Sequence, residues 1–415
     1  MSTPQQPQRQ LLTDATVIGV DLHSESITAC AVTVAAGRLA KPRFFEATME
    51  NVMAVFKKHS KPGDFLVIEA TTNAFHLAEK LAALDGRKPI VVCSECVADK
   101  ERADRVNDRI DAENLALAHI RGEARPVWQP SAAHRDMRQL FFARRDAVKN
   151  ATQAVNRVWA FLNARGNKTP RAAIKKAKTP ADLLPGLLPG ETLHLAQALA
   201  DYHAALAHRD ACDALIAQHA AANPDIQRLL KILGISHLTA FALVAFVEDA
   251  KRFGNPKKLV RYVGLNPTVH QTGKNPGPRH VSRYGRHDLK TLLIECAQSA
   301  YRHGKLPVHK WARRLVGRRK VYNLGVVALA RKLATYAWHV LMGHDLHDGS
   351  EPDAGTLRKF AKLAGVVGKA HLKTLGYDTP DAFVQRMRAL HFPRSGIAWD
   401  NMASKNFSPK IEVQA

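Results

Sequence analysis

Three things are scarce in this chain of 415 residues. Acidic side chains are one: 37 Asp and Glu stand against 61 Lys and Arg, a formal charge of +24 with a pI near 10.0. A cation excess of this size argues against another basic molecule as partner and points to a polyanion, of which nucleic acid is the commonest. Long apolar runs are also missing. Stretches such as "LTAFALVAFV" are too short to span a bilayer, and the polar start "MSTPQQPQRQ" has no signal-peptide core. The expectation is a soluble, cytoplasmic, nucleoid-associated protein with no membrane partner. Cysteine is the third scarcity. Five cysteines, an odd number scattered over several elements, argue against a disulfide framework and suit reduced thiols. Cys93 and Cys96 form a lone CxxC, but zinc needs two further ligands and no second Cys/His pair stands out. The 20 histidines are spread out, and none pairs into a recognisable metal motif.

What is present is ordinary in hydrophobicity, 46% of residues, so globular domains are expected, and the length calls for two or three of them. "TVIGVDLHSESITACAVTV" reads as strand, polar turn and strand; "ENVMAVFKKH" has helical spacing, "DFLVIEA" is a short strand ending at Glu69, "NAFHLAEKLAALDG" is a helix closed by Gly86, and "KPIVVCS" is a buried strand. Residues 14–125 therefore form an α/β layer domain. From His134 to Arg165 the apolar positions Met137, Leu140, Phe141, Val148, Ala151, Val155, Val158, Trp159 and Leu162 recur at helical spacing. About 30 residues at 1.5 Å each make a rod on the order of 45 Å. A Pro/Lys-rich stretch, 166–190, reads as a mobile tip, and a second helix returns through "LHLAQALADYHAALAHRDACDALIAQHAA", so 130–222 is a helical-hairpin, coiled-coil arm. Residues 225–345 are mostly helical and basic. In them "LLKILGISHLTAFALVAFV" is like a helix-hairpin-helix with its turn at Gly234, and "KWARRLVGRRK" crowds Lys310, Arg313, Arg314, Arg318, Arg319 and Lys320 into one phosphate-contacting span. Residues 346–415 are a partly flexible extension, irregular after about 385.

The chemistry is expected from acids. Asp21 ends the first strand, Glu69 ends a later one 48 residues on, and Asp108 and Asp111 open a helix in "NDRIDAENLA". That spacing leaves room for a three-strand meander and a short helix before the chain returns beside strand one. In a ribonuclease H-type sheet all four carboxylates meet at one edge, and they cannot all stay ionised there without cations. Two Mg2+ ions, ligated by oxygen alone, would resolve the repulsion.

In this order, "VIGVDLHSESITACAV", "FLVIEATTNAFHLAEKL", "NDRIDAENLALA" and, far downstream, "GLNPTVHQTGKNPGPRHVSRYGRHDLKTLLIECAQSA" resemble the DEDD transposases of bacterial insertion sequences, family one-ten, with the Piv-type DNA invertases as relatives. The resemblance covers about residues 16–345. It implies a RuvC-like N-terminal domain carrying the tetrad Asp21, Glu69, Asp108 and Asp111 with Mg2+, then the arm, then a C-terminal transposase domain. It further implies DNA as substrate, a structured guide RNA as partner, and dimers or tetramers. The family's nucleophilic serine falls at Thr272, before Gly273 and Lys274. The family's Lys-Thr-Asp reads Val106-Asn107-Asp108 here. Gly273, Lys274, Ser282 and Arg283 are the remaining expected phosphate contacts, with Ser282 the fallback nucleophile. The expected function is a DNA transposase or recombinase. A metal-dependent junction-type nuclease and a catalytically weakened, nucleic-acid-binding descendant are the alternatives. The charge excess has a direct consequence. Nucleic-acid affinity falls steeply with salt, with a log–log slope of about 0.7 to 0.9 per phosphate neutralised, measured by titration at several salt concentrations. A flat response would exclude a polyanionic partner.

Overall fold

The structure, a computed structural model, describes residues 15–71, 73–93, 107–268, 271–272, 275–276, 281–344 and 354–391. The chain divides into two compact units, Met1–Pro130 and Ser131–Ala415.

The first unit is built on one mixed sheet. β1 (Thr16–Leu22) and β2 (Ile27–Ala35) are antiparallel, paired from Thr16–Thr33 to Leu22–Ile27 across a polar turn. β3 (Arg38–Leu39) and β4 (Arg43–Ala47) both pair with β2. After α1 (Val52–His59), β5 (Phe65–Glu69) returns parallel to β1; after α2 (Ala74–Ala82), β6 (Lys88–Val92) lies parallel to β5. The order is β3-β2-β1-β5-β6. The meander and helix expected between Asp21 and Glu69 are thus present, and helices supply the crossovers that parallel strands require.

Alternation along the strands sorts two faces. Ile18, Val20, Leu22, Leu66 and Ile68 pack on Val52, Phe56, Leu77 and Leu81 of α1 and α2. Val17, Val67 and Val92 point the other way, against Ala112, Leu115 and Ala116 of α3 (Asp108–Ile120). Gly19 shares that second face. A Cβ there would lie 1.9 Å from the Ala112 carbonyl oxygen and 2.7 Å from the Ala116 nitrogen, so only glycine lets α3 rest on β1.

The second unit begins with α4 (Ala132–Ala164), the short α5 (Arg171–Ile174) and α6 (Pro189–Ala222). α4 and α6 run antiparallel, as the ion pairs Arg144–Asp213, Arg157–Asp201 and Arg165–Glu191 show. Ala154, Val158 and Leu162 pack on Leu195, Ala198 and Leu199 between them. Two positions of the apolar stripe are left uncovered: Val148 and Trp159 are 38% and 37% exposed. The tip differs from expectation. Ile174, Ala177 and Leu183 are buried against the hairpin's core, and Thr179 with Asp182 forms a capping box, so 166–190 is a packed closure rather than a mobile loop. Its Pro and Lys content masks three well-spaced apolar residues.

α7 (Pro224–Leu229), α8 (His237–Val247), α9 (Pro256–Val263), the hairpin β7 (Gln271–Thr272) and β8 (Asn275–Pro276), α10 (His287–His303), α11 (Pro307–Arg319), α12 (Tyr322–Leu341), α13 (Ala354–Val367), α14 (Lys369–Thr374) and α15 (Pro380–His391) follow. α8 is their centre. Thr239 to Val247 are buried without interruption, which is what an all-apolar helix too short for a bilayer does in a protein core. Met137, Phe141, Ile216 and Ala220 at the base of the hairpin join the same core. The turn between α7 and α8 is tight. Gly234 has φ +91°, and a Cβ on it would lie 2.6 Å from the Cys296 carbonyl oxygen of α10. The irregular tail expected after 385 is helical as far as His391, held by buried Phe383 and Met387; residues 392–415 lie outside the described residues. No helix among the described residues is long and apolar enough to cross a membrane.

The Gly19 contact is testable. Gly19→Ala forces α3 off the sheet and costs about 1 to 3 kcal/mol, read as a lower thermal midpoint of the full chain. Gly317→Ala, whose methyl would meet open space, shows no such loss.

Candidate metal centre and nucleic-acid interface

Strand parity puts Asp21 and Glu69 on one face of the sheet, although Glu69 and Asp111 are not part of the tight group that Asp21 forms. Asp21 lies two residues beyond Gly19, on the α3 face, and the parallel register Val20–Ile68 sets Glu69 one step further along the neighbouring strand. On α3 the stripe that packs on the sheet, Ala112, Leu115 and Ala116, continues back at helical spacing to Asp111 and Asp108. The first turn tolerates two acids because the helix dipole is positive there. Asn107 caps this helix, its Oδ1 accepting from the Arg109 N–H at 2.9 Å. Asn and Thr are both good caps, so Asn107 keeps the local structure where the related pattern has threonine.

His23 completes the cluster, and the sequence reading overlooked it. Its Nε2 lies 3.1 Å from Asp21 Oδ2 and 3.3 Å from Asp108 Oδ1. Ligand atoms of Asp21, His23 and Asp108 all lie within 4.8 Å of one another, the one such group among the described residues. Asp21 is buried, whereas His23 and Asp108 are half exposed. Burial raises the Asp21 pKa; His23 opposes this, and the charges of Asp108, Glu69 and Asp111 reinforce it. The His23 pKa is raised as well, chiefly by the Asp21 charge. The only available signal was position: His23 stands two residues after Asp21, on the polar turn between strands.

This arrangement fits a divalent cation. A buried carboxylate facing three other acids is electrostatically unsatisfied unless positive charge is near, and an oxygen-rich donor set suits a hard ion. Cys93 is half-buried, while Cys96 lies outside the described residues.

In the second unit, Thr272 pairs with Asn275 and Gln271 with Pro276, while Gly273 and Lys274 lie outside the described residues. Ser282 is 6% exposed. Its N–H donates to the Asn266 carbonyl at 3.0 Å, its Oγ accepts from the Tyr284 N–H at 3.1 Å, and its carbonyl accepts from Lys290 Nζ at 3.1 Å. The hydroxyl thus organises its own loop. The basic span divides by role. Arg313 donates to the Tyr301 and Gly304 carbonyls, each at 2.7 Å, and so caps the end of α10. Lys310, Arg314 and Arg318 are exposed at helical spacing along α11, with Arg319 and Lys320 exposed beyond them and Arg283 exposed on the loop before α10.

Comparison with known proteins bears on both units. Residues 18–165 match a family described as Transposase, of the IS110 DEDD type, and residues 226–313 match the Transposase IS116/IS110/IS902 family. The transposase for insertion sequence element IS1111A of Coxiella burnetii is 27% identical over 341 residues, 80% of this chain and 92% of that protein. The transposase for IS1328 of Yersinia enterocolitica is 26% identical over 335 residues, 79% of this chain and 97% of its own length. A probable family 20 transposase of Pseudomonas aeruginosa is 29% identical over 288 residues, 68% and 84% of the two chains. The mixed sheet followed by a mostly helical remainder fits a DEDD, RuvC-like N-terminal domain. Two matches in the expected order, with relatives aligned along most of the chain, make it similar to the IS110-type DEDD transposases, a family of enzymes.

Proposed function

We propose that this chain cuts and rejoins DNA through a covalent protein–DNA intermediate. The observation that carries the reading is the meeting of Asp21 and Asp108, with Glu69 and Asp111 close enough to raise the Asp21 pKa, at the C-terminal ends of β1 and β5. Mg2+ held by Asp21, Glu69, Asp108 and Asp111 would supply Lewis-acid polarisation of the phosphate oxygens and neutralise charge on the leaving oxygen. The Thr272 hydroxyl attacks the phosphorus: an O–P bond to threonine forms, the bond to the DNA 3′-oxygen breaks, and the hydroxyl proton passes to solvent. Attack by another strand's 3′-hydroxyl reverses the exchange and frees the threonine. Gly273, Lys274 and Arg283, together with Arg314, Arg318 and Arg319 of α11 and Lys320 after it, contact phosphates. A structured RNA selects the target by base pairing, leaving the protein to read shape and backbone. Residues 14–125, 130–222 and 225–345 act as catalytic domain, arm and transposase domain, in a dimer or tetramer.

The threonine favours one competing reading. Its extra methyl narrows the approach to a crowded phosphate, so water could be the nucleophile, as in a junction-type nuclease. A denaturing gel separates the two. Thr272→Ala removes the protein–DNA adduct with nucleic-acid binding nearly unchanged, and Thr272→Ser keeps or raises activity. Cutting by both variants at the parent's rate would instead favour the nuclease.

The acids make a second test. Asp21→Asn and Asp111→Asn reduce cleavage to background. In metal-free buffer near neutral pH, Asp21→Asn also raises the melting midpoint. The Asp21 pKa lies above its ordinary value in the fold, so its ionised form costs stability at pH values above that pKa, and the amide removes the charge. Added Mg2+ raises the midpoint of the parent more than that of the variant. Full cleavage by both variants would sink the metal reading.

A further inference from the structure

Tyr284 is 83% exposed, more than any other large hydrophobic side chain among the described residues. Its backbone is held unusually firmly for a surface loop. The Ser282 N–H donates to the Asn266 carbonyl and the Arg286 N–H to the Tyr262 carbonyl, at 3.0 and 2.8 Å. The Tyr284 N–H itself donates to Ser282 Oγ, and Lys290 Nζ braces the Ser282 carbonyl. Two glycine backbones meet at this loop. Gly264 has φ +81° and Gly285 φ +106°; a Cβ on Gly285 would lie 2.6 Å from the Gly264 nitrogen, and one on Gly264 would lie 2.3 Å from the Tyr284 carbonyl oxygen. The fold therefore accepts left-handed backbone and a close crossing in order to hold one aromatic ring out in water.

Such a ring is preorganised for a partner. Only its two side-chain torsions remain to be frozen on binding, so the entropic cost is small. The surroundings select the partner's chemistry. Arg283, Arg286 and His287 lie within three residues, and the nearby Asp288 is already engaged by Arg145 at 3.2 Å and Arg286 at 3.7 Å. An aromatic face among cations suits a planar base carried on a phosphate backbone. In an intact duplex the base faces are covered by their neighbours, so the ring's partner has to be unstacked.

We propose that Tyr284 is a stacking platform for an unpaired nucleobase. The proposal rests on the reading of this chain as a strand-exchanging enzyme, in which bases beside a cut have to part from their own strand. It assigns the loop a role distinct from the phosphate contacts of α11: the ring recognises an opened base, and Arg283 holds the adjoining phosphate.

The test uses the full-length protein and duplexes carrying one unpaired 2-aminopurine, in DNA and RNA versions, each with a perfectly paired control. The parent should quench the 2-aminopurine and prefer the unpaired duplex, and the version quenched more strongly identifies the strand. Tyr284→Ala should lose the quenching and weaken binding of the unpaired duplex by about 5- to 150-fold, leaving the paired control unchanged. Tyr284→Phe should keep both, since the ring remains. Three results would each overturn the proposal: equal weakening of paired and unpaired duplexes by Tyr284→Ala, loss of the preference in Tyr284→Phe, or a change in solution mass with Tyr284→Ala, which would make the ring a contact with a second copy. A parent that binds neither duplex would bring down the nucleic-acid reading itself.

Discussion

The bare Cα of Gly19 decides where the acidic residues stand. Because nothing projects from it, the backbone of α3 settles directly on β1, and the small residues Ala112 and Ala116 deepen the contact. The first turn of α3 is thereby carried to the end of β1, where Asp21 lies two residues on. Every later electrostatic feature follows from that approach: the burial of Asp21, the potential from Asp108 and Asp111, and the bridging position of His23. A side chain at position 19 would separate the strand's acid from the helix's acids, although the sequence would still contain all four.

The centre also shows how a protein with a large positive charge sustains a local negative one. Its surface cations are spread over both units, while Asp21 and Asp108 come together around His23 with ligand atoms within 4.8 Å. When protonated, which Asp21 favours, His23 supplies positive charge between Asp21 and Asp108 from inside the protein itself. A nitrogen donor beside hard oxygen donors gives the cluster a partner of its own, so a cation that enters has to compete with an imidazole for the same carboxylates.

Much of this was legible in the sequence because the strands and helices bury regular patterns. Alternation marked β1 and β2, short apolar runs marked β5 and β6, and helical spacing marked α4 and α6. The grouping of Asp21 with Asp108 could be anticipated because both lie at the ends of well-marked elements. What escaped has a common cause: it depends on contacts between residues distant in sequence or hidden by composition. His23 acquires its meaning only when α3 arrives beside the turn. Arg313 reads as one more surface cation until the end of α10 is seen to need a cap. Ile174, Ala177 and Leu183 are diluted among prolines and lysines, yet together they close the hairpin. The apolar stripe of α4 could be found but not which of its members a neighbour covers, and Val148 and Trp159 stay exposed.

The hairpin's ion pairs have one polarity throughout: arginine on α4, acid on α6, at Arg144–Asp213, Arg157–Asp201 and Arg165–Glu191. Exposed pairs of this kind contribute little stability each, but a slip of one helix along the other would break all of them together. The pairs therefore act as a vernier that admits one alignment. An arm built this way can be lengthened over evolutionary time only by matched insertions in both helices, in whole turns. Its span is then inherited in steps, as a ruler is marked, instead of drifting residue by residue.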